Sequence, residues 1–111
     1  MNWHKITEET QLEEIRQISH NQPVMILKHS TTCSISATAL ARLERAWKDN
    51  EAGNLQPYYL DLLKYRPISN KIAQTFDVEH ESPQVLIIKE GKSIYDASHF
   101  DIRFDEIISN M

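Results

Sequence analysis

Four consecutive apolar residues, Val24-Met25-Ile26-Leu27, follow Asn21-Gln22-Pro23 and are the strongest constraint on how this chain can fold. A run that is apolar at every position, in place of alternating, does not suit a strand with one wet face. It predicts a strand from Val24 to His29 that is buried on both faces of a sheet. Such a strand needs cover on both sides, and the chain supplies helical patterns around it. Trp3 to Ile6 reads as a short first strand; Thr7 is then placed to cap a helix with Glu8 and Glu9 in its first turn and Leu12, Ile15 and Ile18 on its buried face. Strand, helix, strand in this order is the crossover that two parallel strands require.

Leu40, Leu43 and Trp47 stand at helical spacing and predict a second helix from about Cys33 to Asn50, with few breakers before Gly53. Gln56 to Leu62 reads as a third strand. A third helix follows, with Pro67 suited to its first turn and Ile68, Ile72 and Phe76 in an i, i+4, i+8 stripe. Val85 to Lys89, Glu90-Gly91-Lys92, then Ser93 to Ala97 has the form of a hairpin, and a last short helix can bury Phe104, Ile107 and Ile108. The order βαβαβαββα predicts an α/β fold, a mixed sheet flanked by helices. With 111 residues, 41% of them hydrophobic, one domain over residues 1–111 is the expectation. No repeat, linker or low-complexity tract divides the chain.

Charge narrows the function classes. Twelve Lys and Arg against 16 Asp and Glu, with neither sign in a long block, argue against a general affinity for nucleic acid or an anionic membrane. Met1 to Glu9 has no apolar run of a signal peptide and no later segment approaches a membrane span, so a cytoplasmic protein is expected. A single cysteine excludes an internal disulfide, and in a reducing compartment a lone thiol is either buried filler or chemistry.

Cys33 stands where the buried strand has ended and a helix begins, so its sulfur is expected near the unpaired N–H groups of a first helical turn. Those groups and the helix dipole favour a thiolate. Thiol oxidoreductases place Cys-x-x-Cys at the same point, but here the fourth position is Ser36, in Cys33-Ser34-Ile35-Ser36. Serine can donate a hydrogen bond to a thiolate and cannot form a disulfide with it. The chemistry expected is therefore monothiol: Cys33 attacks a mixed disulfide, takes over the small thiol, and an outside thiol releases it.

Ser82-Pro83 precedes the hairpin. It is either a trans proline that starts a strand or a cis peptide that turns the Ser82 backbone outward to pair with an extended thiol ligand. Lys28 and His29 end the cysteine's strand. Either could favour the thiolate or bind a carboxylate, and a solvated Lys28 with a structurally bonded His29 is the alternative. Arg66 beside Pro67 is a candidate for an acidic ligand group or an ordinary surface residue. His29 and Cys33 at i, i+4 could begin a metal site, but His4, His20, His80 and His99 are scattered and no zinc pattern forms, so no metal is expected.

Lys28-His29-Ser30-Thr31-Thr32-Cys33 followed by Ile35-Ser36 resembles the active-site segment of the monothiol bacilliredoxins of the bacillithiol redox system, the YtxJ type. Tyr58-Tyr59-Leu60, Arg66-Pro67 with Ser69-Asn70, Ile72-Ala73, His80-Glu81-Ser82-Pro83-Gln84 and Ser98-His99 resemble further family segments in the same order. The resemblance spans nearly the whole chain. It implies a thioredoxin-like fold with a four- to five-stranded mixed sheet, a cis Pro83, and removal of bacillithiol from protein mixed disulfides. Cys33 is then the nucleophile with Ser36 as its catalytic partner, and Lys28, Thr32, Ser34, Arg66, Ser82 and Pro83 are the candidate substrate-binding residues. Bacillithiol, a cysteinyl glucosamine joined to malate, brings carboxylates for which Lys28 or Arg66 is the candidate partner.

One position departs from the pattern. The family usually has proline after the cysteine, and Ser34 restores an N–H there, so the thiolate is expected to be at least as stabilised as with that proline in place. The resemblance implies no bound cofactor or metal, bacillithiol or a similar low-molecular-weight thiol as co-substrate, and thiolated proteins as partners. A monomer is the default. Two other readings stand beside it: a non-catalytic thioredoxin-fold module that binds proteins and whose cysteine is only modified, and a monothiol glutaredoxin-like carrier in which two chains hold an iron-sulfur cluster.

Overall fold

The computed structural model describes Met1–Met111. Its centre is the predicted strand, β2 (Val24–His29), in which all six residues are buried. β2 lies between β3 (Gln56–Asp61), parallel to it, and β4 (Gln84–Lys89), antiparallel to it. The short β1 (His4–Lys5) pairs in parallel with β3, and β5 (Lys92–Ser98) closes the hairpin with β4. The five strands run in the order β1-β3-β2-β4-β5.

Alternate β2 residues feed two separate cores. Val24 and Ile26 join Leu12 and Ile15 of α1 (Thr10–Ile18) and Ile68, Ile72 and Phe76 of α4 (Arg66–Phe76). Met25 and Leu27 join Ala39 and Leu43 of α2 (Ser34–Ala46), Ala52 of α3 (Asp49–Ala52), and Phe104 and Ile107 of α5 (Phe104–Ser109). The continuous apolar run is thus the sequence trace of a strand with a core on each side. Lys28 falls on the α1/α4 side and His29 on the α2 side, a consequence of the period-2 geometry of a strand.

Three boundaries differ from those expected. α1 starts at Thr10 and has no side-chain cap from Thr7: the Gln11 side chain reaches back and accepts the Thr7 and Glu8 N–H groups at 2.7 and 2.9 Å, which holds Thr7–Glu9 in a turn ahead of the helix. The single helix expected over Cys33–Asn50 is two, because Trp47 and Lys48 are extended. Trp47 turns out to pack its ring on Phe104, 5.0 Å between centroids, and its indole N–H donates to Asp49. Third, a 3₁₀ turn, His99–Asp101, follows β5 where no element was expected. The hairpin closes through Glu90 and Gly91, both at positive φ (53° and 77°), the backbone a two-residue turn of this hand needs.

Candidate active site

Cys33 is the N-cap of α2, in an extended conformation (φ −101°, ψ 122°). Its carbonyl accepts the first helical bond, from Ala37 N at 3.0 Å, so the N–H groups of Ser34, Ile35 and Ser36 have no backbone acceptor. An N-cap side chain is the group positioned to satisfy the second or third of these. The half-buried sulfur of Cys33 makes no hydrogen bond with the protein, and it is the one thiol in the chain. Thr32, Ser34 and Ile35 around it are exposed.

The turn that presents Cys33 is tied at both ends. The Cys33 N–H donates to Ser30 O at 3.2 Å, and the Leu62 N–H after β3 donates to His29 O at 2.9 Å. Between them lies Ser36, 1% exposed. Its hydroxyl accepts the Ser30 N–H at 3.0 Å and lies 2.7 Å from His29 Nδ1. These contacts tie the Ser36 hydroxyl to the end of β2 and the turn, and it makes no hydrogen bond to the Cys33 sulfur. His29 is buried against Tyr59, with ring centroids 5.7 Å apart. Burial lowers its pKa below the ordinary histidine value, against the opposing pull of Asp61, Glu44 and the Ser36 backbone, so the imidazole is neutral at pH 7. This is the structurally bonded His29 of the two alternatives.

Ser82 and Pro83 come to the same end of the sheet, because Gln84 pairs with Lys28 and the chain leaving β2 leads to Cys33. The Ser82–Pro83 bond is cis. The Ser82 backbone N–H and C=O take no part in backbone pairing, whereas Pro83 O accepts the His99 N–H at 3.1 Å. His99 holds a positive φ of 54°, which only a few non-glycine residues adopt, and its Nε2 lies 3.8 Å from Glu81. The buried Ser82 Oγ and Gln84 Oε1 on either side of Pro83 have no partner in the protein.

Lys28 is not at the surface. Its side chain is completely buried on the α4 side, where Nζ donates to Ser69 O and to His80 Nδ1, both at 3.2 Å. No carboxylate offsets its charge, and burial lowers its pKa to about 8. A solvated Lys28 is thereby corrected: a strand residue on the face that carries Val24 and Ile26 is carried inward with them. Its ammonium is engaged by Ser69 and His80. Arg66 is exposed at the first position of α4 and has no ion-pair or hydrogen-bond partner. Burial, then Lys28, then Arg66 lower the pKa of His80, with Glu81 opposing, which places Arg66 in the same neighbourhood.

The predicted residues therefore form two groups at one end of the sheet: Thr32, Cys33, Ser34 and Ser36 at the start of α2, and Lys28 with Arg66 toward α4, with Ser82-Pro83 on the strand that pairs with Lys28. Residue reading did not single out Ser69 or His80, though both lie in the segments that carry the resemblance. The signal available was the inward-facing register of Lys28, which demands partners from the helix across it. A cavity of about 460 Å³ lies elsewhere, lined by Arg42, Leu43, Ile102 and Phe104 among others and not by Cys33. No three His, Cys, Asp or Glu side chains converge as a cation site, and no helix is long and apolar enough to cross a membrane.

A β1-β3-β2-β4-β5 sheet with a lone thiol on the N-cap residue of the helix after its central strand, and a cis proline at the same end of the sheet, defines a thioredoxin-fold protein of the thiol-redox class. Solved structures agree on the fold. The chain is similar to a thioredoxin-fold protein described as a candidate oxidoreductase, with 30% identity, TM-score 0.81, and 96% of this chain and 90% of that one covered. It is similar in fold to the thioredoxins of Malassezia sympodialis (15% identity, TM-score 0.78, covering 97% and 89%) and Fasciola hepatica (15%, 0.74, covering 96% of each). Residues 4–107 match the model of the monothiol bacilliredoxin family, BrxC, and the chain belongs to that family.

Proposed function

We propose that this protein removes a low-molecular-weight thiol, bacillithiol in the family's setting, from protein mixed disulfides through Cys33. The observation that carries the reading is the placement of the single thiol at the N-cap of α2, beside three N–H groups without backbone acceptors, with Ser36 and no second sulfur three residues on. Cys33 thiolate attacks the small-thiol sulfur of the mixed disulfide. A bond forms between the two sulfurs, the original S–S bond breaks, and the protein thiolate leaves and takes a proton from water. A second molecule of small thiol then attacks the adduct on Cys33, giving a small symmetrical disulfide and the free enzyme thiol. Electrons balance without a metal or a bound organic cofactor.

The unpaired backbone of Ser82 supports an extended ligand laid against it as an added strand, with its disulfide over Cys33. Thr32 and Ser34 are exposed beside the sulfur and are the polar groups such a ligand meets first. Ser36 acts at one remove: it holds Ser30 and His29, and so fixes the turn that aims the thiol. Mixing the reduced protein with a bacillithiolated test protein tests the reading. Transfer of one adduct to Cys33 is expected, and a wild type that takes none would overturn it.

A further inference from the structure

A fully buried lysine with no counter-ion costs a fold several kcal/mol, and the exchange step at Cys33 does not use Lys28. What Lys28 does in the structure is fix a histidine. An ammonium has only hydrogens to give, so the His80 Nδ1 it meets at 3.2 Å presents its lone pair, and the ring proton sits on Nε2. Ser69, whose carbonyl takes another Lys28 hydrogen, also lies with its Oγ 3.4 Å from the same Nδ1. His80 is exposed and its Nε2 has no partner.

Arg66 lies one turn before Ser69 on the same face of α4, and its guanidinium is likewise exposed and unpartnered. Of the two acids that flank His80 in the chain, Glu81 is directed to His99 at 3.8 Å and the Glu79 side chain pairs with neither His80 nor Arg66. Two free donors, one charged, therefore stand together where residues 80–83 lead into the cis proline. That cis proline lies at the end of the sheet from which the chain leads to Cys33.

We propose that His80 and Arg66 form a clamp for a carboxylate of the low-molecular-weight thiol carried on Cys33, with Lys28 behind them as the positioning residue that fixes the His80 tautomer. The inference rests on the exchange reading above. It assigns Lys28 a role without ligand contact and gives Arg66 a named partner. Selectivity for acidic small thiols over neutral ones is the consequence.

The test uses two small disulfides, 3,3′-dithiodipropionate and neutral bis(2-hydroxyethyl) disulfide, each mixed with the reduced full-length protein. Cys33 thiolate attacks one sulfur, the S–S bond breaks, and the other half leaves as a thiol. The rate of adduct formation is followed by mass, and the ratio of the two rates is the readout. Arg66→Met and His80→Leu, both at exposed positions, are expected to lower the carboxylate-to-neutral ratio about fivefold each. Lys71→Met, the same charge change elsewhere on α4, is expected to leave it alone. Lys28→Met is expected to lower the ratio as well and to turn the ¹⁵N signature of His80 from a single Nε2–H tautomer into a mixture, which a merely structural lysine would not do.

A ratio indifferent to Arg66 and His80 while both adducts form overturns the clamp and leaves the exchange reading standing; the same indifference with a loss confined to acidic peptide disulfides assigns the pair to protein acids and equally overturns it. An equal fall in Lys71→Met also overturns it, since the effect is then general charge. A wild type that takes up neither adduct overturns the exchange reading and the clamp together.

Discussion

At the scale of single residues, Cys33 and Lys28 have opposite claims on the fold. The Cys33 side chain is half-buried and makes no hydrogen bond, so little stability depends on it. Cys33→Ala is expected to abolish thiol exchange while changing unfolding free energy by less than about 1 kcal/mol in urea titration. Loss of folding in that variant would show that the thiol is structural. Lys28 is held at about 8 by burial, below the ordinary lysine value of 10.5. The unfolded chain then binds more protons than the native one between those values, so stability gains from this group as pH rises from 8 to 10.5, and its burial penalty is fully present below pH 8.

Lys28→Met removes that penalty. At pH 7 the variant is expected to be more stable than wild type by about 2 kcal/mol, and the difference should shrink as pH climbs from 8 toward 10.5. Parallel stability curves over that interval would show that Lys28 is not the group that titrates. Comparison with wild type is needed because Tyr58, Tyr59 and Tyr95, whose pKa values burial raises, add stability that is lost as pH rises above 10. The inward side of Lys28 was legible in the apolar run around it. Its partners were not: Ser69 and His80 are 41 and 52 residues away, and no local pattern links them to β2.

At the scale of elements, the β2–α2 junction is where fold and chemistry meet. Ser36 satisfies the buried Ser30 N–H and the buried His29 ring at once. Ser36→Ala leaves both without a partner and is expected to cost about 2 kcal/mol by denaturant unfolding, with a smaller slowing of exchange than Cys33→Ala causes. A Ser36→Ala protein as stable as wild type would contradict this reading of the turn. The strand, helix and hairpin patterns of β2, α4 and β4–β5 were readable because each element carries its own periodicity. The break at Trp47 was not readable, because the ring of Phe104 that draws it inward belongs to α5 and local helical spacing ran on through Trp47. Ser36 shows the same limit at the site: its spacing from Cys33 placed it near a thiol, and its hydroxyl is taken up by two groups of β2 and the following turn.

At the scale of the whole molecule, the sheet order brings the end of β2, the start of β4 and the end of β5 to one edge of the fold. Cys33, Ser82-Pro83 and His99 all follow from it. The family match over residues 4–107 is to proteins named for the monothiol reaction, and the absence of a second cysteine makes the outside thiol obligatory in the mechanism proposed. The most direct measurement is intact-mass analysis of the reduced protein mixed with a bacillithiolated test protein, each partner weighed over time. The predicted result is one bacillithiol moving from the test protein to Cys33, with no transfer in Cys33→Ser. A test protein that keeps its adduct in the presence of the reduced wild type, or loses it equally to Cys33→Ser, would contradict the account.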